Sequence, residues 1–219
     1  MTYTNFSQAA RQLRDGEAVA LSAPGMSLIT EHSAFGLLVW DIIGINADQS
    51  ITGEANTLTV LMRNPPLWRS FDDASKNHPW GCNRWATSSV RRWLREEFLG
   101  GFSPEDRDVL RTVAKETFNA DSKRMEEIPD VIFLLSASEA GFPVDNQWVM
   151  DEGRAYAFFA SGEQRLRRKV DVDGDECYWW LRSPNPSNAV NVRYINPSGA
   201  LYNNYASVSS GLAAACVIG

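Results

Sequence analysis

The residues best suited to recognition chemistry crowd the end of the chain. Residues 185–219 hold six Asn, five Ser, three Tyr and six Ala, with Arg193 as the single charge. Asn and Ser offer adaptable hydrogen bonding, and Tyr offers a large amphipathic contact at low entropy cost; antibody paratopes use the same set. Nine side chains are expected to face outward as one patch: Asn188, Val190, Asn191, Tyr202, Asn203, Asn204, Tyr205, Ser207 and Ser209. Tyr202 and Tyr205 are the expected anchors, because Tyr is enriched among interface hot spots. An open polar and aromatic surface buries a small molecule poorly, so the expected partner is a protein or another macromolecule. Isolated residues such as Ser187 and Ser198 read as solvated loop positions. Composition alone also fits a polar, turn-rich tail with no binding role.

Other chemistry is thin. The run Asp171-Val172-Asp173-Gly174-Asp175-Glu176 places alternating acids before a glycine, as calcium loops do. The helix–loop–helix calcium spacing fails, because Arg182 stands where a bidentate Glu is required, and an acidic turn is the preferred reading. His32 and His78 are the only histidines, and neither has a metal or triad spacing. Cys82, Cys177 and Cys216 form no CxxC pair and no disulfide framework. No phosphate-binding loop or dinucleotide fingerprint is present. The expectation is no catalytic residue, no metal and no cofactor.

A net charge of −6 and a pI near 5.0 argue against nucleic acid, which calls for a basic face. The basic run Arg165, Arg167, Arg168, Lys169 is followed at once by acids and reads as a solvated, internally paired loop. No apolar stretch is long enough to span a bilayer, so no membrane insertion is expected. The first residues show no charged region leading into an apolar run, and no signal peptide is visible. Three scattered cysteines suggest folding in a reduced compartment, the cytoplasm, with any delivery to a virion or cell surface by another route.

The elements that must position the tail can be read upstream. Asn5 or Ser7 can cap a short helix carrying Ala9, Ala10 and Leu13, with Gly16 beyond its end. Strands are expected at residues 17–21, 36–45 and 57–62. Ser88 or Ser89 starts a helix over 89–99, with Val90, Trp93, Leu94 and Phe98 on one face. Ser103-Pro104-Glu105-Asp106 starts a second, over 104–115, with Val109, Leu110, Val113 and Ala114 inward. A short buried strand at 130–135 leads into a short helix at 136–140. Trp148, Tyr156, Phe158 and Phe159 read as core. Nothing divides the chain, so residues 1–219 are expected to form one domain. Trp179, Trp180, Leu181, Val192, Ile195, Leu201, Leu212, Val217 and Ile218 can anchor the tail, with Gly199 and Gly211 supplying turns. The last strand, near 213–218, should pair in the core, with 17–21 as the expected neighbour.

Three pieces carry a resemblance. The first is Trp85-Ala86-Thr87-Ser88-Ser89-Val90-Arg91-Arg92-Trp93-Leu94. The second is Ile132-Phe133-Leu134-Leu135-Ser136-Ala137-Ser138-Glu139-Ala140. The third is Trp179-Trp180-Leu181-Arg182-Ser183-Pro184, followed by Asn191-Val192-Arg193-Tyr194-Ile195 and Ser198-Gly199-Ala200-Leu201. They resemble a bacterial and prophage family similar to the variable proteins of diversity-generating retroelements. The resemblance covers about Trp40 to the C-terminus. It implies an α+β, C-type-lectin-like fold of the formylglycine-generating-enzyme branch, with two helices packed on irregular antiparallel strands. It also implies that 185–219 is a variable ligand-binding region and that the function is binding, not catalysis. The family's tail often has an Arg-Pro pair soon after the position of Gly211; here Leu212-Ala213-Ala214-Ala215 stands instead. Replacing only the adenines of Asn codons cannot yield Lys, Glu, Gln, Met or Trp, and the tail contains none of these five. An undiversified structural or assembly protein of a phage or cell surface is the alternative. A formylglycine-generating-type oxidase, using Cys177 and Cys216, is the weaker one.

Overall fold

A computed structural model of the chain describes residues 4–16 and 26–219. The strand expected at 17–21 lies outside the described residues. Along the chain come helix α1 (Phe6–Arg14) and strands β1 (Ser27–His32), β2 (Gly36–Ile45), β3 (Leu58–Met62) and β4 (Trp68–Ser70). Helix α2 (Ser89–Trp93) continues through a π turn (Leu94–Phe98) and a 3-10 turn (Leu99–Gly101), and α3 (Pro104–Asp108) follows. Then come β5 (Leu110–Arg111), β6 (Val113–Asn119), β7 (Arg124–Asp130), β8 (Ile132–Phe133), β9 (Lys169–Val170) and β10 (Glu176–Cys177). The tail supplies β11 (Trp179–Pro184), β12 (Asn191–Ile195), β13 (Leu201–Tyr205), β14 (Ser209–Gly211) and β15 (Ala215–Ile218). The architecture is α+β, strand-rich, with short helices.

Local signals explain most starts. Asn5 and Gln8 form a reciprocal capping box at α1, which buries Phe6, Ala9, Ala10 and Leu13. Ser88 Oγ accepts from the Arg91 N–H, and Ser103 Oγ accepts from the Asp106 N–H ahead of Pro104. The second helix nevertheless stops at Asp108, and the expected span over 104–115 is wrong. Leu110 pairs with Ile218, and Val113 opens a hairpin with Asp130. Val109, Leu110 and Val113 are buried as expected, but Val109 caps the end of α3, Leu110 and Val113 reach the core from strands, and Ala114 faces outward. Residues 136–140 form a turn, not a helix. Tyr156 and Phe159 are core, whereas Trp148 is 44% exposed.

Two sheets carry the fold. In the larger, β15 is central, with antiparallel β3 on one side and β8 and β5 on the other; β2 and β1 continue beyond β3. The last strand is therefore in the core, with β3 on one edge in register Ala215 to Leu61 and β8 and β5 on the other, while its expected neighbour at 17–21 lies outside the described residues. The second sheet has the order β13-β12-β11-β14-β4, with β11 and β14 parallel. One hydrophobic core includes Trp40, Trp85, Trp179 and Trp180, all fully buried. No helix among the described residues is long and apolar enough to cross a membrane.

Candidate ligand-binding surface

The tail's backbone is fixed largely by groups that do not face outward. Trp179, Trp180, Leu181, Val192, Ile195, Leu212, Val217 and Ile218 are buried, and Leu201 is half-buried. The indole N–H groups of Trp179 and Trp180 donate to the carbonyls of Arg167 (2.9 Å) and Arg69 (3.0 Å). Asn83, far upstream, organises the loop at 185–191. Its Nδ2 donates to the carbonyls of Asn188 (2.6 Å) and Asn191 (2.8 Å), and its N–H donates to the Ala189 carbonyl (2.9 Å). Gly199 has φ +85°, and a Cβ there would meet the Gln164 carbonyl oxygen at 2.2 Å. Gly211 is no turn; lacking a Cβ, it lets β14 approach the Tyr178 carbonyl, to which its N–H donates at 2.9 Å.

The pleat divides the expected patch. Successive side chains of a strand point to opposite faces. Tyr202 pairs with Tyr194 and Asn204 with Val192, so these share one face with Trp180. Asn203 pairs with Arg193 and Tyr205 with Asn191, which places them on the other. The nine residues do not form one patch on a single face. This correction was available in principle, because a strand at 201–205 forces period-two alternation.

The first face is an aromatic cleft of about 330 Å³ lined by Trp68, Tyr178, Trp180, Tyr194, Asn204, Val208, Ser209 and Ser210. Tyr202 stands beside it, stacked on Tyr194 at 6.3 Å between centroids, and is 53% exposed. Tyr178 packs edge-on to Tyr194 at 5.5 Å, and Trp180 does so at 5.9 Å from beneath. Trp68 and Tyr178 are each more than two-fifths exposed. Burial pushes the Tyr194 phenol above its ordinary value, so it stays a neutral hydroxyl at physiological pH. This face offers stacking surface and hydroxyl and amide groups, and the described side chains lining it carry no charge. Ser209 lies here with Tyr202 and Asn204.

The second face is an asparagine cluster. Asn203 Oδ1 accepts from Nδ2 of Asn191 (2.7 Å) and of Asn185 (3.3 Å). Tyr205 stacks on the exposed Trp80 at 4.6 Å. Asn188, Val190 and Ser207 sit at the loop ends. Asn188 Oδ1 accepts from the Val190 N–H (2.8 Å), so that side chain holds its own turn. Sequence reasoning missed Trp68, Trp80 and Tyr178. Trp68 and Trp80 sit near Pro65-Pro66 and Pro79, where exposed aromatics next to turn residues were a usable signal.

A buried polar network lies behind the sheets. Lys115 Nζ donates to Asp48 (2.7 Å), Glu139 (2.7 Å) and Tyr156 (3.0 Å), beside a cavity of about 580 Å³. Arg182 donates to Glu139 (2.5 Å), Thr117 Oγ1 and the carbonyls of Leu134, Glu116 and Glu152. Burial pushes the Glu139 carboxyl up, but Arg182 and Lys115 outweigh it and hold the group at about 2. Burial pushes Glu152 to about 7. The main donors and acceptors of this network are matched, which is the pattern of a structural bolt.

Most of the other residues singled out in the sequence are occupied or enclosed, with His78 exposed and Cys82 half-buried. Asp171 Oδ1 accepts from the N–H groups of Asp173 and Asp175, closing the turn between β9 and β10. Within the basic run, Arg167 and Lys169 are buried, not solvated; Arg167 Nε donates to the Ala140 carbonyl at 2.8 Å, and Lys169 Nζ donates to the Arg63 carbonyl. Cys177 and Cys216 are buried free thiols, and burial raises Cys177 to about 11 and Cys216 well above its ordinary value, which suppresses the reactive thiolate. His32 stacks on Phe98 and its Nε2 lies 2.9 Å from the Phe98 carbonyl, a packed core position.

No curated protein and no solved structure matches the chain. A family model described as a domain of unknown function, DUF6273, matches residues 56–219. That span takes in β3 to β15, the aromatic cleft, the asparagine cluster and the buried network apart from Asp48, so the chain belongs to the DUF6273 family.

Proposed function

We propose that this chain is a non-enzymatic ligand-binding module of C-type-lectin-like fold, with residues 185–219 as a diversified recognition region. One observation carries the reading. The tail's backbone is held by buried anchors, by main-chain bonds and by Asn83, while Tyr202, Tyr205 and Ser209 stay exposed. A surface organised in this way tolerates side-chain change at the exposed positions, because surface substitutions usually shift stability by no more than about 0.5 kcal/mol. The exposed aromatic residues of the cleft, Trp68, Tyr178 and Tyr202, supply hot-spot chemistry. The partner is a macromolecule, and a protein fits best.

The test is a library randomised at Tyr202, Asn203, Asn204, Tyr205, Ser207 and Ser209 and selected against unrelated proteins. Folded binders with different specificities are the expected yield; folded variants that never bind would overturn the reading. At the DNA level, diversification requires a near-repeat of the tail's coding segment, differing mainly at adenines, close to a reverse-transcriptase gene.

A further inference from the structure

Arg193 on β12 is fully buried, and none of its guanidinium nitrogens has an acceptor among the described residues. The contrast with Arg182, also fully buried, is sharp, since every nitrogen of Arg182 is bonded. Two carboxylates lie close enough to act on Arg193, but neither bonds it. Asp145 Oδ1 accepts from the N–H groups of Gln147, Trp148 and Val149. Glu152 accepts from the Phe118 N–H and the Ser183 hydroxyl. Asn191, two residues earlier on the same face, likewise keeps a buried Oδ1 without a donor. Over the guanidinium lies the Trp148 ring, its centroid 3.6 Å from Cζ. Trp148 is 44% exposed, so the cation is one side chain away from solvent.

A ring face offsets part of a cation's desolvation, but it satisfies none of the N–H groups. The planar fork of guanidinium donors matches a carboxylate in bidentate fashion, and a desolvated, uncommitted fork is prepared for one. We propose that Arg193 is an occluded carboxylate-binding site, lidded by Trp148, which swings aside as a ligand carboxylate takes its place. This site does not depend on the tail being diversified, since Arg193 is fully buried and Trp148 lies outside residues 185–219.

The experiment follows the Arg193 Nε–H resonance by NMR while acetate, acetamide or phosphate is added to the full chain at constant ionic strength. Acetate should shift the resonance saturably, and neutral, isosteric acetamide should not. Trp148→Ala should bind acetate about tenfold tighter, because the lid's contact no longer competes. Arg193→Met should abolish the acetate-dependent change in Trp148 fluorescence while the chain stays folded. Trp148→Phe and the unmodified protein carry the same titration if Trp148→Ala fails to fold. An Arg193 resonance unmoved by acetate, equal shifts with acetamide, a response to phosphate alone, or a fluorescence response that survives in Arg193→Met would each overturn the assignment.

Discussion

Arg182→Met tests whether the arginine of the Trp179-Trp180-Leu181-Arg182-Ser183-Pro184 stretch is a structural bolt. Its guanidinium is fully buried and bonds Glu139 Oε2 at 2.5 Å and the Leu134 and Glu152 carbonyls at 2.8 and 2.9 Å. Methionine fills similar volume but leaves the buried Glu139 carboxylate with Lys115 as its one remaining cation, beside the Ser136 N–H, and takes a donor from the Leu134, Glu116 and Glu152 carbonyls. Removing one partner of a buried ion pair costs about 3–5 kcal/mol. The Glu139 carboxyl supplies a second route to the magnitude. It is held at about 2 against an ordinary 4.5, and at about 1.4 kcal/mol per unit this is worth roughly 3 kcal/mol. The sign follows from the depression: the contribution is present above 4.5 and is lost as pH falls through about 2. Urea unfolding at neutral pH and at about pH 3 measures both effects. In a Glu152→Gln background, which removes that group's opposite pH dependence, the protein should lose stability across that interval, and adding Arg182→Met should start several kcal/mol lower and change less. Adding Glu139→Gln to Arg182→Met should recover part of the loss, because the orphaned charge is removed. A cost under about 1 kcal/mol for Arg182→Met, or no coupling to Glu139, would refute the reasoning.

Other outcomes follow from the same geometry. Asn83→Ala should cost about 1–3 kcal/mol and speed amide exchange across residues 185–191, since it orphans the Asn188 carbonyl and leaves the Asn191 carbonyl with the Asn185 N–H alone. Changing Tyr202 and Asn204 together to Ser should leave the unfolding midpoint nearly unchanged, within about 0.5 kcal/mol each, yet weaken ligand binding by about 2 kcal/mol or more. Glu152 is raised from 4.5 to about 7, so the stability tied to its protonated form is full below 4.5 and is lost as pH rises through about 7. Glu152→Gln should flatten that slope in pH-dependent urea unfolding.

The end of α1, the starts of α2 and α3 and the strand at Gly36–Ile45 were legible because caps, prolines and apolar runs act within a few residues. The buried anchors of the tail were legible for the same reason: large apolar residues leave water wherever the chain takes them. Beyond Asp108 that local logic failed. Leu110 and Val113 fit a helix face by spacing, but their buried places are in strands that pair with Ile218 and Asp130, partners that lie outside any local window.

The candidate site divides along the same line. Its residue types, rich in Tyr, Asn and Ser and nearly free of charge, are a property of composition, and no folding was needed to see them. Their assignment to faces is a property of pairing. The register of β13 on β12 sends Tyr202 and Asn204 toward Trp68 and Tyr178, and Asn203 and Tyr205 toward Asn191 and Trp80. The fate of the arginines was also undecided until the chain folded. Arg182 and Arg193 are both buried, yet one meets a carboxylate and a ring of carbonyls and the other meets only the Trp148 ring. Which acceptors surround a charge depends on segments distant in sequence, and only tertiary packing brings them together.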